Sequence, residues 1–403
     1  MLCTGAVTGG EVTRTTVGIV GGGPAGLMLS HLLARAGIES VVVDNRTQQE
    51  IEQTVRAGIL ERDSAQLLVD SGVSDRVLTE GHEHLGIDLG FGGSGHRVDF
   101  RGLTGASVWL YPQTDVFMDL AAARERDGGD VRFGITGTEV LDVTTDRPGV
   151  RFTDADGAEQ ELRCDVLVGA DGSRSICRQA VTGPHRRDYF REYPYAWFGI
   201  LCEAPPSAPE LIYNHSERGF ALISQRTATM QRMYFQCDPE EDVEAWSDDR
   251  IWTELQARVG ANGYVLQEGP VTSRSVLPFR SYVCEPMRHG RLVLAGDAAH
   301  TVPPTGAKGL NLALADVRIL ADVLAAALRS QDIDRLDEYA ERAVARVWRA
   351  QHFSYWMTTM LHTLPDATPF DVQRQIGELS TLVASTAGST FLAEGYAGWP
   401  GQG

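Results

Sequence analysis

The sequence predicts an α/β fold that opens with a Rossmann-like βαβ unit, continues into a β-rich part and ends in long helices. Three observations indicate this order. A glycine-rich turn, GGGPAG at 21–26, stands between a β-branched run and an apolar helical stretch. Residues 224–226 and 232–236 alternate with the two-residue period of a strand. Residues 306–330 and 334–361 repeat apolar side chains at the period of a helix.

The composition excludes several classes of protein. The chain has 403 residues, and 36 Lys and Arg against 54 Asp and Glu give a formal net charge of −18. A nucleic-acid binder would need a basic surface, and the sequence has no apolar run long enough to span a membrane. The six cysteines are scattered without metal-binding spacing, which predicts reduced thiols in a cytoplasmic protein and no metal site. The first 15 residues lack the features of a signal peptide.

The first unit has the features of a dinucleotide-binding site. Its predicted elements are a strand at 16–20, a helix at 27–36 and a second strand at 41–43. Gly21 allows the tight turn, Gly23 lets the backbone approach a pyrophosphate, and Gly26 permits close packing of helix on strand. The helix N-terminus favours the anion. Asp44, at the end of the second strand, is placed to accept a hydrogen bond from a ribose hydroxyl. This motif alone does not distinguish NAD from FAD.

Two later strand ends select the cofactor. Residues 164–172 predict a strand that ends in Asp171-Gly172, and residues 291–300 predict another that ends in Gly296-Asp297. In the order GxGxxG, DG and GD, these motifs resemble those of the flavoprotein aromatic hydroxylases, the single-component FAD monooxygenases of phenols. The likeness extends from about residue 16 to the end of the chain, through ELIYNHSERGFALISQR at 210–226 and GDAAHTVPPTGAKGLN at 296–311.

The resemblance implies the domain organisation and the cofactor contacts. It implies an FAD-binding domain of the glutathione-reductase type at 1–187, a β-rich substrate domain at 188–290 and a helical domain at 291–403, with residues 85–110 joining the substrate sheet. Asp297 matches the aspartate that holds the ribityl chain of FAD, and Asp171 lies where flavin and nicotinamide dinucleotide both approach. Arg56 and Gln113 match residues that contact FAD in this family. Arg232 matches the arginine that influences the movement of the flavin between its exposed and buried positions.

The resemblance also implies the reaction. It is greatest for members that hydroxylate 4-hydroxybenzoate beside its hydroxyl, giving 3,4-dihydroxybenzoate, with NADPH or NADH, O2 and a flavin C4a-hydroperoxide. A 3-amino or 3-hydroxy derivative, used in a biosynthetic pathway, stays open as the substrate. A flavin oxidoreductase or halogenase without aromatic hydroxylation is a more remote alternative, and the WxWxIP signature of halogenases is absent. One long helix has aromatic residues that could form either core or, as in relatives, a dimer face, and a homodimer is expected; these residues are Trp348, Phe353, Tyr355 and Trp356.

A benzoate substrate needs a local cation, because the net charge of the chain repels anions. Arginine suits a planar carboxylate, since its guanidinium can donate two parallel hydrogen bonds. Strand alternation places Ser224 and Arg226 on one face. The resemblance implies that Arg226 binds the substrate carboxylate, assisted by Ser224 and Tyr234.

At the other end of the ring, the phenol must lose its proton as the reaction proceeds, although phenols titrate near pH 10. Family matches imply that Tyr213 contacts the substrate hydroxyl, that Tyr396 extends the hydrogen-bonded chain, and that His84 exchanges the proton with solvent.

The segment PPTGAKGLN at 303–311 is expected to contact the flavin ring at a helix N-terminus, which stabilises negative charge on the reduced flavin. Pro304 matches the proline whose backbone lies close to the substrate hydroxyl. Lys308 and Asn311 match residues at the flavin edge, where they would add positive potential and a polar anchor.

The segment after the second strand bears on the reductant. Asn45, Glu50 and Thr54 stand where NADPH-preferring relatives have basic residues or tyrosine, and Arg46 is the only base. An acid near a 2′-phosphate is unfavourable, so the sequence predicts use of NADH or of both nicotinamide cofactors.

Overall fold

The computed structural model describes residues 11–54 and 58–399. The strands in chain order are β1 (Glu11–Val20), β2 (Ser40–Asp44), β3 (Ile59–Glu61), β4 (His82–His84), β5 (Gly86–Phe91), β6 (Ser94–Asp99), β7 (Val108–Leu110), β8 (Asp130–Phe133), β9 (Thr136–Leu141), β10 (Gly149–Thr153), β11 (Glu159–Gly169), β12 (Arg187–Cys202), β13 (Leu211–Asn214), β14 (Ala221–Thr227), β15 (Met230–Cys237), β16 (Val271–Glu285), β17 (Arg288–His289), β18 (Leu292–Leu294) and β19 (His300–Thr301).

The helices in chain order are α1 (Pro24–Arg35), α2 (Gln48–Glu52), α3 (Arg62–Asp70), α4 (Arg76–Thr79), α5 (Phe100–Thr104), α6 (Gln113–Arg126), α7 (Ile176–Ala180), α8 (Asp248–Gly260), α9 (Gly309–Ser330), α10 (Leu336–Leu361), α11 (Pro369–Ala384) and α12 (Thr386–Ala397). Short 3-10 turns lie at Val243–Ala245, Gly296–Ala298, Pro304–Gly306 and Ile333–Arg335.

The first sheet is built on parallel strands in the order β18-β11-β1-β2-β8. The antiparallel strand β17 extends it beyond β18, and the pair β9–β10 joins it through β11. β1 and β2 are connected by α1, so this part is the predicted βαβ unit. Its parallel strands bring their carboxyl ends, and the motifs that follow them, to one edge of the sheet.

The predicted α/β fold is confirmed, with differences at element ends. The first strand is longer than expected because it pairs with β11 from residue 11 onwards. The strand predicted to end in Gly296-Asp297 is wrong in extent: β18 ends at Leu294. Gly296, with a φ of +61°, turns the chain, and β19 then joins the second sheet. The long helices predicted over 306–330 and 334–361 are α9 and α10.

The second sheet has the order β19-β16-β12-β15-β14-β13-β5-β6. Its strands are antiparallel except for the parallel pair β5 and β13. One face packs on α8 through a separate apolar cluster that includes Phe198, Ile223 and Phe235. The opposite face joins the main core through Tyr213 and other residues. This face therefore packs towards the first sheet, and most of the candidate substrate residues lie on it.

The aromatic residues expected at a dimer face divide between core and surface. Phe353 is buried, whereas Trp348 and Tyr355 are about two-fifths exposed. The indole of Trp356 donates to Glu378 of α11. Within residues 11–54 and 58–399, no helix has the length and apolar character needed to cross a membrane.

Candidate active site

The turn between β1 and α1 brings glycines against other backbone. A Cβ at Gly21, whose φ is +112°, would lie 2.2 Å from the Ala170 carbonyl oxygen. A Cβ at Gly26 would lie 1.9 Å from the Gly21 carbonyl oxygen. A Cβ at Gly23 would meet nothing within 4 Å. Two glycines are therefore required by close packing, and the third leaves open space before the helix.

The N-terminus of α1 and the later motifs converge at this turn. α1 begins at Pro24, has no side-chain cap and carries no acid in its first turn. A Cβ at Gly296 would lie 3.5 Å from the Cβ of Ala25 and 3.2 Å from that of Ala313 in α9. The three motifs that are far apart in sequence thus lie together in space.

Asp44 is buried at the end of β2. It accepts hydrogen bonds from the Gly22 backbone N–H at 2.7 Å and from the backbone and guanidinium of Arg46. Nearby, Glu50 and Thr47 form a capping box at the start of α2. The only base of this segment is therefore paired with Asp44, and Glu50 is held by a helix cap.

The two strand-end aspartates differ in their surroundings. Asp171 accepts from the Ser175 hydroxyl at 2.6 Å and from the backbone N–H of Ile176 at 2.8 Å, so its carboxylate holds the start of α7. Burial raises its pKa, and these hydrogen bonds oppose the shift. Asp297 is half-buried in the turn Gly296–Ala298.

The loop expected at the flavin forms a 3-10 turn and then α9. The Pro304 carbonyl accepts from the Ala307 N–H at 2.9 Å. Asn311 is buried; its amide donates to the Ile59 and Ala307 carbonyls, and its oxygen accepts from the Glu61 N–H at 2.9 Å. The Asn311 side chain therefore joins α9 to β3.

Lys308 is buried rather than free at a ring edge. Its Nζ donates to Glu61 Oε1 at 2.7 Å and to the Tyr396 carbonyl at 3.1 Å. It lies 5.2 Å from the centre of Phe353 and 5.1 Å from that of Trp399. Burial lowers the pKa of Lys308, and Glu61 opposes that shift. The expected positive potential is thus largely balanced by Glu61, which no local sequence signal marked.

Pairing of β13, β14 and β15 assembles one polar face. Tyr213 pairs with Leu222, which pairs with Tyr234, and Ser224 pairs with Arg232. Paired residues, and residues two apart on one strand, point the same way. Tyr213, Ser224, Arg226, Arg232 and Tyr234 therefore share the face opposite α8.

Arg226 is half-buried on this face, and its guanidinium has no hydrogen-bond or ion-pair partner among the described residues. Burial lowers its pKa, and repulsion from Arg232 adds to the shift, whereas Asp115 opposes it. Within the described residues, the buried Nη1 of Arg232 has no partner, and the guanidinium carbon lies 5.1 Å from the centre of the Tyr234 ring. The Ser224 hydroxyl donates to the Arg232 carbonyl at 2.6 Å, so its proton is already used.

The two tyrosines predicted to act together are in contact. The Tyr213 and Tyr396 hydroxyls are 2.6 Å apart, and both residues are fully buried. Burial raises the pKa of each hydroxyl above its ordinary value. His84 ends β4, is 1% exposed, and has no partner for either ring nitrogen among the described residues. Burial lowers the pKa of His84 to about 4, with Glu210 opposing and His82 adding to the shift.

Comparisons with known proteins identify the family of this chain. The model of the FAD binding domain family matches residues 14–354. The p-hydroxybenzoate hydroxylase of Acinetobacter baylyi is 42% identical over 392 residues, which cover 97% of this chain and 96% of that protein. The chain belongs to the flavin-dependent aromatic hydroxylases.

More distant relatives share the architecture. The 6-methylpretetramide 4-monooxygenase of Streptomyces rimosus is 28% identical, and the match covers 86% of this chain and 84% of that protein. The crystal structure of p-nitrophenol 4-monooxygenase from Pseudomonas putida has a TM-score of 0.80 at 19% identity, over 96% of this chain and 99% of that one. At that identity the likeness shows the fold of the hydroxylase.

The residues at the first turn fit the FAD that this hydroxylase uses. The open space at Gly23 and the uncapped start of α1 suit a pyrophosphate, which is anionic and binds helix N-termini. Asp44 stands at the expected end of β2, and α9 also begins without a side-chain cap or an early acid. Gln113 is the first residue of α6. The predicted contact Arg56 lies outside the described residues.

Proposed function

We propose that the hydroxylase converts 4-hydroxybenzoate to 3,4-dihydroxybenzoate, using NADPH or NADH and O2. The observation that carries this proposal is the shared face of β13 and β14. The Arg226 guanidinium, which has no hydrogen-bond or ion-pair partner among the described residues, and the buried Tyr213 hydroxyl point from the same side of the sheet. A ring with a carboxylate and a hydroxyl at opposite ends is complementary to such a face.

Arg226 would bind the carboxylate. A half-buried guanidinium without a partner is costly, and a planar carboxylate can accept two of its N–H groups. Arg232 adds positive charge on the same face, where its Nη1 has no partner among the described residues. Tyr234 lies beside Arg232, whose guanidinium carbon is 5.1 Å from the centre of the tyrosine ring, and would contact the same end of the substrate. This local charge would overcome the repulsion from the acidic chain.

Tyr213 and Tyr396 would draw off the phenolic proton. Both hydroxyls are neutral at pH 7 because burial raises their pKa values. A neutral hydroxyl can accept one hydrogen bond while donating another, so the pair can pass a proton outward without becoming charged. His84 is also neutral at pH 7, since its pKa is about 4, and neither ring nitrogen has a partner in the part of the chain that the structure describes, so its unprotonated nitrogen would accept that proton.

FAD, when bound, supplies the redox chemistry that links NAD(P)H oxidation to activation of O2. The chain would hold its pyrophosphate at Gly23 and α1, and its ribityl chain near Asp297. The residues of the sheet face would orient the ring, remove its proton and exclude water from the reacting atoms.

A panel of substituted 4-hydroxybenzoates tests this proposal. We expect the unsubstituted acid to stimulate NAD(P)H oxidation and to gain one oxygen atom, read by product mass. Benzoate without the hydroxyl and phenol without the carboxylate serve as matched controls, each missing one recognition group. Better turnover of the 3-amino or 3-hydroxy acid would assign the enzyme to a biosynthetic substrate. A panel in which no aromatic acid gains oxygen would contradict the proposal.

We also propose a homodimer in the cytoplasm. Tyr189, Phe190, Trp348 and Tyr355 form an exposed aromatic patch beside a groove of about 280 Å³. A second copy of the chain would cover this patch, since large exposed apolar surfaces mark interaction sites. We expect a dimer by light scattering and a monomer after Phe190→Lys.

A further inference from the structure

One buried histidine lies behind the proposed substrate face and has no part in the proton path. His362 follows the last residue of α10 and is 1% exposed. Its Nε2 lies 2.7 Å from the indole Nε1 of Trp197, and its Nδ1 lies 2.9 Å from the Thr358 carbonyl. An indole N–H can only donate. His362 therefore accepts at Nε2, carries its proton on Nδ1 and donates that proton to Thr358.

Three side chains fix the backbone around this histidine. His215 Nδ1 lies 3.1 Å from the Leu361 carbonyl, and Gln375 donates to the His362 carbonyl at 2.8 Å. Gln236 of β15 accepts from the Thr363 N–H at 3.0 Å and donates to its carbonyl at 2.5 Å. Hydrogen bonds from three side chains therefore fix the backbone of residues 361–363, from which the His362 ring extends to the second sheet.

The ring contacts both ends of the proposed substrate face through its neighbours. The ring centres of Trp197 and Tyr234, at the carboxylate end, are 4.7 Å apart. The ring centre of Phe220 lies 4.4 Å from that of His362 and 6.0 Å from that of Tyr213, at the phenol end. The same segment also reaches the loop before α9, because the Thr358 and Thr305 hydroxyls are 2.9 Å apart.

We infer that His362 is a positioning residue of the substrate site. It accepts a hydrogen bond from the Trp197 N–H and so holds the aromatic wall, formed by Trp197 and Phe220, behind Tyr234 and Tyr213. This inference rests on the proposed function, because it assigns the wall to the site where 4-hydroxybenzoate binds. Burial lowers the pKa of His362 to about 3, so the ring stays a neutral acceptor throughout the working pH range.

A double-mutant cycle tests the inference with 4-hydroxybenzoate as the probe. The variants are His362→Leu, which removes the acceptor, Trp197→Phe, which removes the donor and keeps a ring, and the pair combined. The Kd for the acid is measured on the FAD-bound enzyme from the perturbation of the flavin spectrum. We expect His362→Leu to raise Kd about tenfold, since it leaves a buried N–H unpaired. In the Trp197→Phe background the same substitution should change Kd less than about threefold.

Two further variants separate positioning from general destabilisation. His362→Gln retains an acceptor and should stay within about threefold of the wild-type Kd. Trp246→Phe is the matched control: its indole donates to Glu241 at 2.9 Å and packs on Phe235, on the opposite face of the same sheet. We expect it to lower the melting temperature without changing Kd. The indole N–H resonance that disappears in Trp197→Phe should shift in His362→Leu.

The outcomes are distinguishable. A wild-type enzyme that does not bind 4-hydroxybenzoate would refute the proposed function, and this inference with it. A wild-type enzyme that binds, with additive effects in the cycle or with Trp246→Phe as harmful as His362→Leu, would overturn the inference alone. If His362→Leu does not fold, the Kd values of His362→Gln and Trp197→Phe are compared instead. A Kd near the wild-type value for His362→Gln, together with a Kd about tenfold higher for Trp197→Phe, supports the inference. Any other order of these Kd values contradicts it.

Discussion

The hydroxyls of Tyr213 and Tyr396, which are 183 residues apart in sequence, lie 2.6 Å apart in a fully buried contact. Tyr213 is held by the pairing of β13 with β14, and Tyr396 by the last helix, α12. The pair joins the second sheet to the C-terminal end of the chain. Its position supports the proposed removal of the phenolic proton.

The first prediction concerns Tyr213→Phe. We expect FAD to stay bound while product formed per NAD(P)H falls severalfold, because the ring loses the partner for its hydroxyl. Oxygen consumption, product and peroxide are measured together. Tyr339→Phe is the control, since that buried hydroxyl donates to the Leu294 carbonyl and not towards the sheet face. Unchanged product yield in Tyr213→Phe would remove this tyrosine from the proposal.

Arg226→Gln should raise the Kd for 4-hydroxybenzoate about 30-fold or more, because a buried carboxylate would be left without its charged partner. Arg226→Lys should recover only part of this loss, since an ammonium group lacks the planar fork. Spectral titration of the FAD-bound enzyme gives both values. Arg250→Gln, at an exposed arginine over Trp246, is the control. Equal Kd values for Arg226→Gln and wild type would exclude the carboxylate contact.

His84 should make stability depend on pH. Its pKa is about 4 in the folded chain against 6.5 for an ordinary histidine, so the unfolded state binds more protons between these values. The stabilising effect is complete above pH 6.5 and is lost as the pH falls to about 4. Between pH 7.5 and 4.5, His84→Asn should lose about 2–3 kcal/mol less stability than wild type. Urea unfolding at the two pH values measures this difference, and parallel losses would contradict the assigned shift.

The buried pair Lys308–Glu61 should be much more sensitive to one substitution than to two. Lys308→Met alone should lower the free energy of unfolding by about 3 kcal/mol, because the buried Glu61 carboxylate loses its 2.7 Å partner. The loss is at the low end for a broken buried pair, since Arg346 Nη2 still lies 3.9 Å from Glu61 Oε2. Adding Glu61→Gln should restore a large part of that loss. Thermal or urea unfolding of both variants makes the comparison, and strictly additive losses would show that the two groups are not coupled.

The reductant preference should be weak. The guanidinium of Arg46 is paired with Asp44, and Glu50 is an acid that would repel a 2′-phosphate, so neither residue favours NADPH. We expect kcat/KM for NADH to equal or exceed that for NADPH. Steady-state kinetics with both cofactors checks this expectation, and a preference for NADPH of tenfold or more would contradict it.

The sequence predicted best what depends on local pattern. The turn after β1, the two long helices and the shared face of Ser224 and Arg226 follow from glycine spacing and from strand and helix periods. The shortness of β18 was missed, because the apolar run there looks like a longer strand while Gly296 turns it into another sheet. Glu61 and His362 were also missed. Each acts through a partner that is distant in the chain. No local sequence pattern predicts that Glu61 is the buried counter-ion of Lys308 or that His362 accepts a hydrogen bond from Trp197.

The parallel pairing of β5 with β13 has a consequence for how the chain folds. The carboxylate of Glu210, just before β13, accepts a hydrogen bond from the Leu85 N–H, 125 positions away in the sequence. Closing so long a loop is slow and must precede the contacts that reward it. The pairing that places β13 and Tyr213 beside β5 is therefore a long-range contact of the kind that forms slowly. A fragment that ends near residue 187 would expose the edge of β5, and its complement would expose that of β13, so neither half is a self-sufficient unit.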